Sequence, residues 1–130
     1  MSKCPCGSAR DYAECCQPYL TAQATPKTPE ALMRSRYTAY TMADIAYIEK
    51  TQRGKAAEGF HALDAYVWAK RVTWLKLEVL NTSIIRKSQI GYVEFIARFI
   101  DAGFTQLIHE KSEFIKKAGQ WFYVDGVHVP

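Results

Sequence analysis

The sequence predicts an α+β chain in two parts: a small metal-binding module at the N-terminus, then a cone built from helices and an antiparallel sheet. Three observations predict it. All four cysteines of the 130 residues lie between Cys4 and Cys16. From Pro29 to Arg71, apolar side chains recur at helical spacing. From Val72 onward the period changes to two, with turn residues between the runs. Helices followed by strands in series is the α+β pattern. The apolar content of 48% and aromatic content of 13% supply a core and argue against disorder. The expected division is 1–25 for the module and its linker and 26–130 for the cone domain.

The cysteine segment comes first. Cys4-Pro5-Cys6 and Cys15-Cys16 form two pairs that close on one ion if the residues between them fold back. Gly7 permits the tight backbone after Cys6, and Arg10 to Glu14 fits a short helical turn presenting the second pair. Four soft thiolates suit one tetrahedral zinc ion, and such a shell is closed and structural. The expected ligands are Cys4, Cys6, Cys15 and Cys16. Disulfides compete with this reading, but bridging within so short a segment gains little loop-closure entropy, and pairing within Cys4–Cys6 and Cys15–Cys16 is strained. A redox pair would be expected as Cys-x-x-Cys, which this is not. Iron–sulfur ligation uses the same donors and is disfavoured only by the tight spacing. The start Met-Ser-Lys has no apolar stretch of a secretory signal, so the expected compartment is the cytoplasm.

Gln17 to Lys27 reads as a connection, with Tyr19 and Leu20 pinning the module to the domain. Thr28-Pro29-Glu30 is a helix start, with Thr as cap, Pro in the first turn and an acid beside it. The helix Pro29–Thr41 sets Leu32, Met33, Arg36, Tyr37 and Tyr40 within one another's reach. Asp44 caps a second helix, Ile45 to Lys50, and Gln52-Arg53-Gly54-Lys55 breaks it. A third segment, Gly59 to Arg71, offers Phe60, Leu63, Tyr66 and Val67 as its apolar face. Strands are expected at Thr73–Val79, Gln89–Ile100, Phe104–Ile115 and Gln120–Val124, the second and third joined by Asp101-Ala102-Gly103. No apolar run reaches the ~20 residues that span a bilayer, and the longest, Ile90 to Ile100, is interrupted by Glu94 and Arg98.

Cys-Pro-Cys-Gly-Ser (Cys4–Ser8), Tyr12 and Cys15-Cys16 resemble the SEC-C motif, a zinc-binding module also found at the tail of the SecA translocation ATPase. Many members carry Gly-Lys after the Ser, where this chain has Ala9-Arg10. The SecA copy contacts the chaperone SecB, so the resemblance implies a recognition module. Ala31–Tyr40, Gly91–Phe95, His109–Phe114 and Trp121–Gly126, in that order, are similar to a bacterial YchJ-like family. Its members join an N-terminal SEC-C motif to a nuclear-transport-factor-2-like domain. That resemblance implies the cone fold and no established activity. An exposed sheet face in this fold commonly makes dimers, so a homodimer is a further expectation.

The candidate lining of the cone's pocket is Arg34, Arg36, Glu94, His109 and Glu110, polar groups among apolar neighbours. If Glu94 and Glu110 share a face, an arginine from the first helix pairs with them, either as a structural brace or as a site for a small polar ligand. No residue is assigned as catalytic, since no nucleophile elbow, zinc-protease helix or phosphate loop is present. His61 and His128 have no metal-ligand spacing, and Trp68, Trp74 and Trp121 read as core. The formal charge of +4 falls to about +2 once four thiolates take one Zn²⁺, which argues against nucleic acid as the partner. The first functional expectation is an adaptor that recognises a protein through the zinc module. The alternative is a small-molecule binder or enzyme using the cone.

Overall fold

The computed structural model describes residues 2–130. A 3₁₀ turn at Tyr12–Glu14 is followed by five helices: α1 (Gln17–Leu20), α2 (Pro29–Thr41), α3 (Ile45–Lys50), α4 (Gly54–Glu58) and α5 (Ala62–Arg71). Four strands follow: β1 (Thr73–Ile85), β2 (Ile90–Asp101), β3 (Phe104–Lys117) and β4 (Gln120–His128). They form one antiparallel meander in the order β1-β2-β3-β4, as helices followed by period-two segments predict. Among the described residues no helix is long and apolar enough to cross a membrane.

The two predicted caps are formed. The Thr28 hydroxyl accepts from the Ala31 amide at 3.0 Å, and Asp44 accepts from the Tyr47 amide at 3.2 Å. Pro29 occupies the first turn of α2, where its missing N–H leaves no gap. The helix then packs across one face of the sheet, against β1, β2 and β4. Leu32 and Tyr37 from α2 join Leu77, Val93, Phe95 and Phe114 from the strands in the main core.

Three expectations are corrected. The break after α3 is confined to Thr51–Arg53, and Gly54 begins α4 instead of ending the run. The cause is pairing with β4: Tyr123 N donates to Thr51 O and Arg53 N donates to Tyr123 O, both at 2.9 Å. Strand β1 continues to Ile85, past Val79, because a bulge between Val79 and Asn81 shifts the alternation without ending the ladder. The apolar face of α5 is also not the buried one. Leu63, Tyr66 and Val67 are 72%, 46% and 51% exposed, while Ala69 is buried. The helix is oriented by Trp68, whose ring meets Tyr40, Trp74 and Phe99 edge-on at 6.1, 5.1 and 5.4 Å between centroids. One half-buried indole packed against three rings outweighs Leu63, Tyr66 and Val67, which face water.

Candidate functional site

The N-terminal segment folds back as its spacing requires. Lys3 and Asp11 form a bridge, Cys4 N donates to Arg10 O at 2.8 Å, and Gly7 adopts a left-handed φ of +81° between the first cysteine pair and Ser8. The 3₁₀ turn presents Cys15, whose amide donates to Tyr12 O at 3.1 Å, and Cys16 opens α1. All four cysteines are buried, and their Sγ atoms lie within 4.8 Å of one another. The 3.6 Å separation of Cys6 and Cys15 Sγ is far from a disulfide bond. It is close to the ~3.8 Å edge of a tetrahedron with 2.3 Å metal–sulfur bonds. The donor set therefore fits one soft metal ion, held by Cys4, Cys6, Cys15 and Cys16.

Neighbouring groups steady these ligands. Ser8 Oγ is 3.1 Å from Cys15 Sγ, and Thr38 Oγ1 is 3.4 Å from Cys16 Sγ and 3.7 Å from Cys4 Sγ. Such hydroxyls donate to thiolate and hold its orientation. Arg34 Nη1 donates to Cys6 O at 2.7 Å while its Nε pairs with Glu30 at 2.9 Å. Tyr19 and Leu20 pack against Ala39, Tyr47 and Ile48, so they pin the module to the domain as expected. The thiols hold their protons unevenly. Hydrogen bonding to Cys16 pulls Cys6 down to about 4 against the effect of burial. Its bond to Cys6 and burial push Cys16 up, and burial pushes Cys15 up. A metal that takes all four thiolates must displace those protons.

The five pocket candidates go to three places. Arg34 belongs to the metal centre, as above, and not to the cone. Glu94 and His109 lie on the outer face of the sheet, paired with each other at 2.7 Å, because Glu94 aligns with Lys111 and His109 with Ile96. Glu110 aligns with Phe95 and so faces inward, with its parity opposite to that of Glu94. Arg36 and Glu110 alone line the cavity between α2, α5 and the sheet.

Within the cavity Arg36 and Glu110 do not form the expected brace. Arg36 Nη1 donates to Ile48 O at 3.0 Å and Thr51 Oγ1 at 2.8 Å, and Nη2 donates to Gln52 Oε1 at 3.1 Å. Its guanidinium lies 4.6 Å from the centroid of Tyr123. The arginine thus ties α2 to the end of α3, and it is held without a carboxylate in contact. Burial lowers its pKa, opposed by nearby tyrosines and Glu110, and an arginine stays charged regardless. Glu110 Oε2 accepts from Ser112 Oγ at 2.6 Å and from the Tyr123 hydroxyl at 3.0 Å. Burial and the Glu110 charge push Tyr123 up, which keeps it a donor. Thr38, Ser112 and Tyr123 were not among the candidates. Only Thr38 left a signal: it stands four residues after Arg34 and so on the same face of α2.

Two family models match. The SEC-C motif covers residues 2–18, and the model described as YchJ, middle NTF2-like domain, covers residues 28–126. The chain belongs to the YchJ family. A relative described as UPF0225 protein YchJ, from Shigella dysenteriae serotype 1 (strain Sd197), is 41% identical over 123 residues, 95% of this chain and 81% of the relative. Among solved structures, RPA3114, a SEC-C motif containing protein from Rhodopseudomonas palustris, is 38% identical with a TM-score of 0.89, covering 99% of this chain and 100% of that one. A SEC-C motif containing protein from Psychrobacter arcticus is 28% identical with a TM-score of 0.84, covering 100% of this chain and 84% of that one. The YchJ-like chain thus has the α+β, NTF2-like fold with an N-terminal Cys4 cluster that its sequence predicts.

Proposed function

We propose that this YchJ-family chain is a zinc-binding adaptor of the cytoplasm, with one structural zinc per chain and a protein partner recognised through the SEC-C module. One observation carries the reading: four buried cysteines with mutually close sulfur atoms, two of them steadied by hydroxyls. A shell of four thiolates is full, so the ion has no open position for substrate or water and acts by holding structure. Zinc is the ion whose lack of geometric preference and taste for sulfur suit that shell. The outward side of the module carries exposed Lys3, Pro5 and Arg10, a compact surface that the ion keeps in shape.

Metal analysis of protein purified without added metal tests the first part. One zinc per chain is expected, and loading the metal-free protein releases protons, so affinity rises with pH. Another metal or none overturns the zinc assignment. The adaptor role is tested by affinity capture from cytosol with the intact chain and with Cys4→Ser. A specific protein retained only by the intact chain is expected. No capture, or the same set with both, ends that reading.

A further inference from the structure

The cavity of the cone domain is a separate site from the metal centre, and its lining specifies a ligand. Its volume is about 160 Å³. Cavities of about this size take one benzene-sized ring. Trp68 and Trp74 wall it, locked perpendicular to each other with centroids 5.1 Å apart, and Tyr37 meets Trp74 edge-on at 5.7 Å. These mutual contacts fix the walls before any ligand enters, which lowers the entropy lost on binding.

The polar end of the cavity is equally fixed. Both donors to Glu110, from Ser112 and Tyr123, take Oε2. No protein donor reaches Oε1 among the described residues, and this oxygen is not sealed from solvent, so it is free to accept from a ligand in exchange for water. Gly126 supports the arrangement: a Cβ there would overlap the Glu110 carboxyl group and the Tyr123 hydroxyl. Arg36 lines the same cavity, only 5% exposed, with hydrogen bonds to three acceptors and no carboxylate in contact. The site therefore holds one fixed positive and one fixed negative group. The two charges offset each other, so an ionic ligand loses its hydration there without meeting a net counter-charge, a cost that a neutral molecule avoids.

We propose that the cavity binds a neutral, single-ring aromatic molecule carrying one N–H or O–H donor, which Glu110 Oε1 accepts while Trp68 and Trp74 enclose the ring. The site is the ligand-binding alternative of the sequence given a definite chemistry, and it stands whether or not the zinc module recruits a protein.

The test is protein-observed NMR titration of the full metal-loaded chain with four probes of similar size: phenol, toluene, benzoate and benzylammonium. Phenol saturates the Trp68 and Trp74 indole signals, and toluene binds about tenfold more weakly or worse, the factor expected for one hydrogen bond to a charged acceptor. Both ions bind more weakly than phenol. In Glu110→Gln the phenol preference over toluene shrinks, and in Ala97→Leu, where the added atoms fill the cavity, no probe saturates the signals. Three results overturn the proposal: no saturable phenol binding by the wild type, toluene equal to phenol, or either ion binding most tightly. The wild-type panel decides the matter even if Glu110→Gln or Ala97→Leu fails to fold.

Discussion

The metal centre and the cavity sit on different faces of the same helix, and they are assembled in opposite ways. Every candidate metal ligand comes from one short segment, Cys4 to Cys16, and α2 adds only Arg34 and Thr38 around it. The cavity draws Arg36 and Tyr40 from α2, Trp68 from α5, Trp74 from β1, Glu110 and Ser112 from β3 and Tyr123 from β4. A local site is specified by spacing along the chain. A dispersed site is specified by strand register and helix orientation, so a small error anywhere in the fold moves one of its walls.

The largest effect that tests this contrast is Cys6→Ser. Three thiolates cannot complete the shell, so metal content is expected to fall to none. The loss from ordering the segment and its contacts to α2 should be about 4 kcal/mol or more, since loss of a metal belongs to the most damaging class of substitutions. Metal analysis and thermal unfolding read both. If the variant keeps its melting midpoint, the module does not stabilise the cone domain. A smaller loss, about 3 kcal/mol, is expected for Arg36→Lys, because an ammonium cannot reproduce the fork that satisfies Ile48 O, Thr51 and Gln52 together. Metal content should stay unchanged in that variant, which separates the two faces of α2. The smallest effect is assigned to His109→Ala. Its pairing with Glu94 is on the outer face and partly in water, so the change in stability should be about 0.5 kcal/mol, read by denaturant titration. Probe binding in the cavity should not move. A shift in the Trp68 or Trp74 signals would show that the outer face and the cavity communicate.

The same contrast explains what was legible in the sequence. The cysteine cluster was, because its chemistry lies in residue type and spacing. So were the caps Thr28 and Asp44 and the meander, which depend on neighbours a few residues away. The pocket was legible only in part. Glu94 and Glu110 are alike in a linear reading, and only the pairing of Phe95 with Glu110 shows that one faces in and the other out. Arg34 and Arg36 are likewise two residues apart on one helix, and the fold sends one to a cysteine carbonyl and the other to the end of α3. The face of α5 was misread for a related reason. Leu63, Tyr66 and Val67 form the better apolar stripe, yet the aromatic partners waiting on α2, β1 and β2 favour Trp68.

Helix α2 also limits how the chain can change length. Each residue of an α-helix turns the next by about 100°. Deleting one residue before Arg34 would rotate Arg34 and Thr38 off the cysteines and Arg36 off the α3 terminus in the same step. The three strand connections, by contrast, run in solvent at one end or the other of the sheet and accept insertions without disturbing either site. Variation in length among chains of this fold should therefore gather in the hairpins and spare α2.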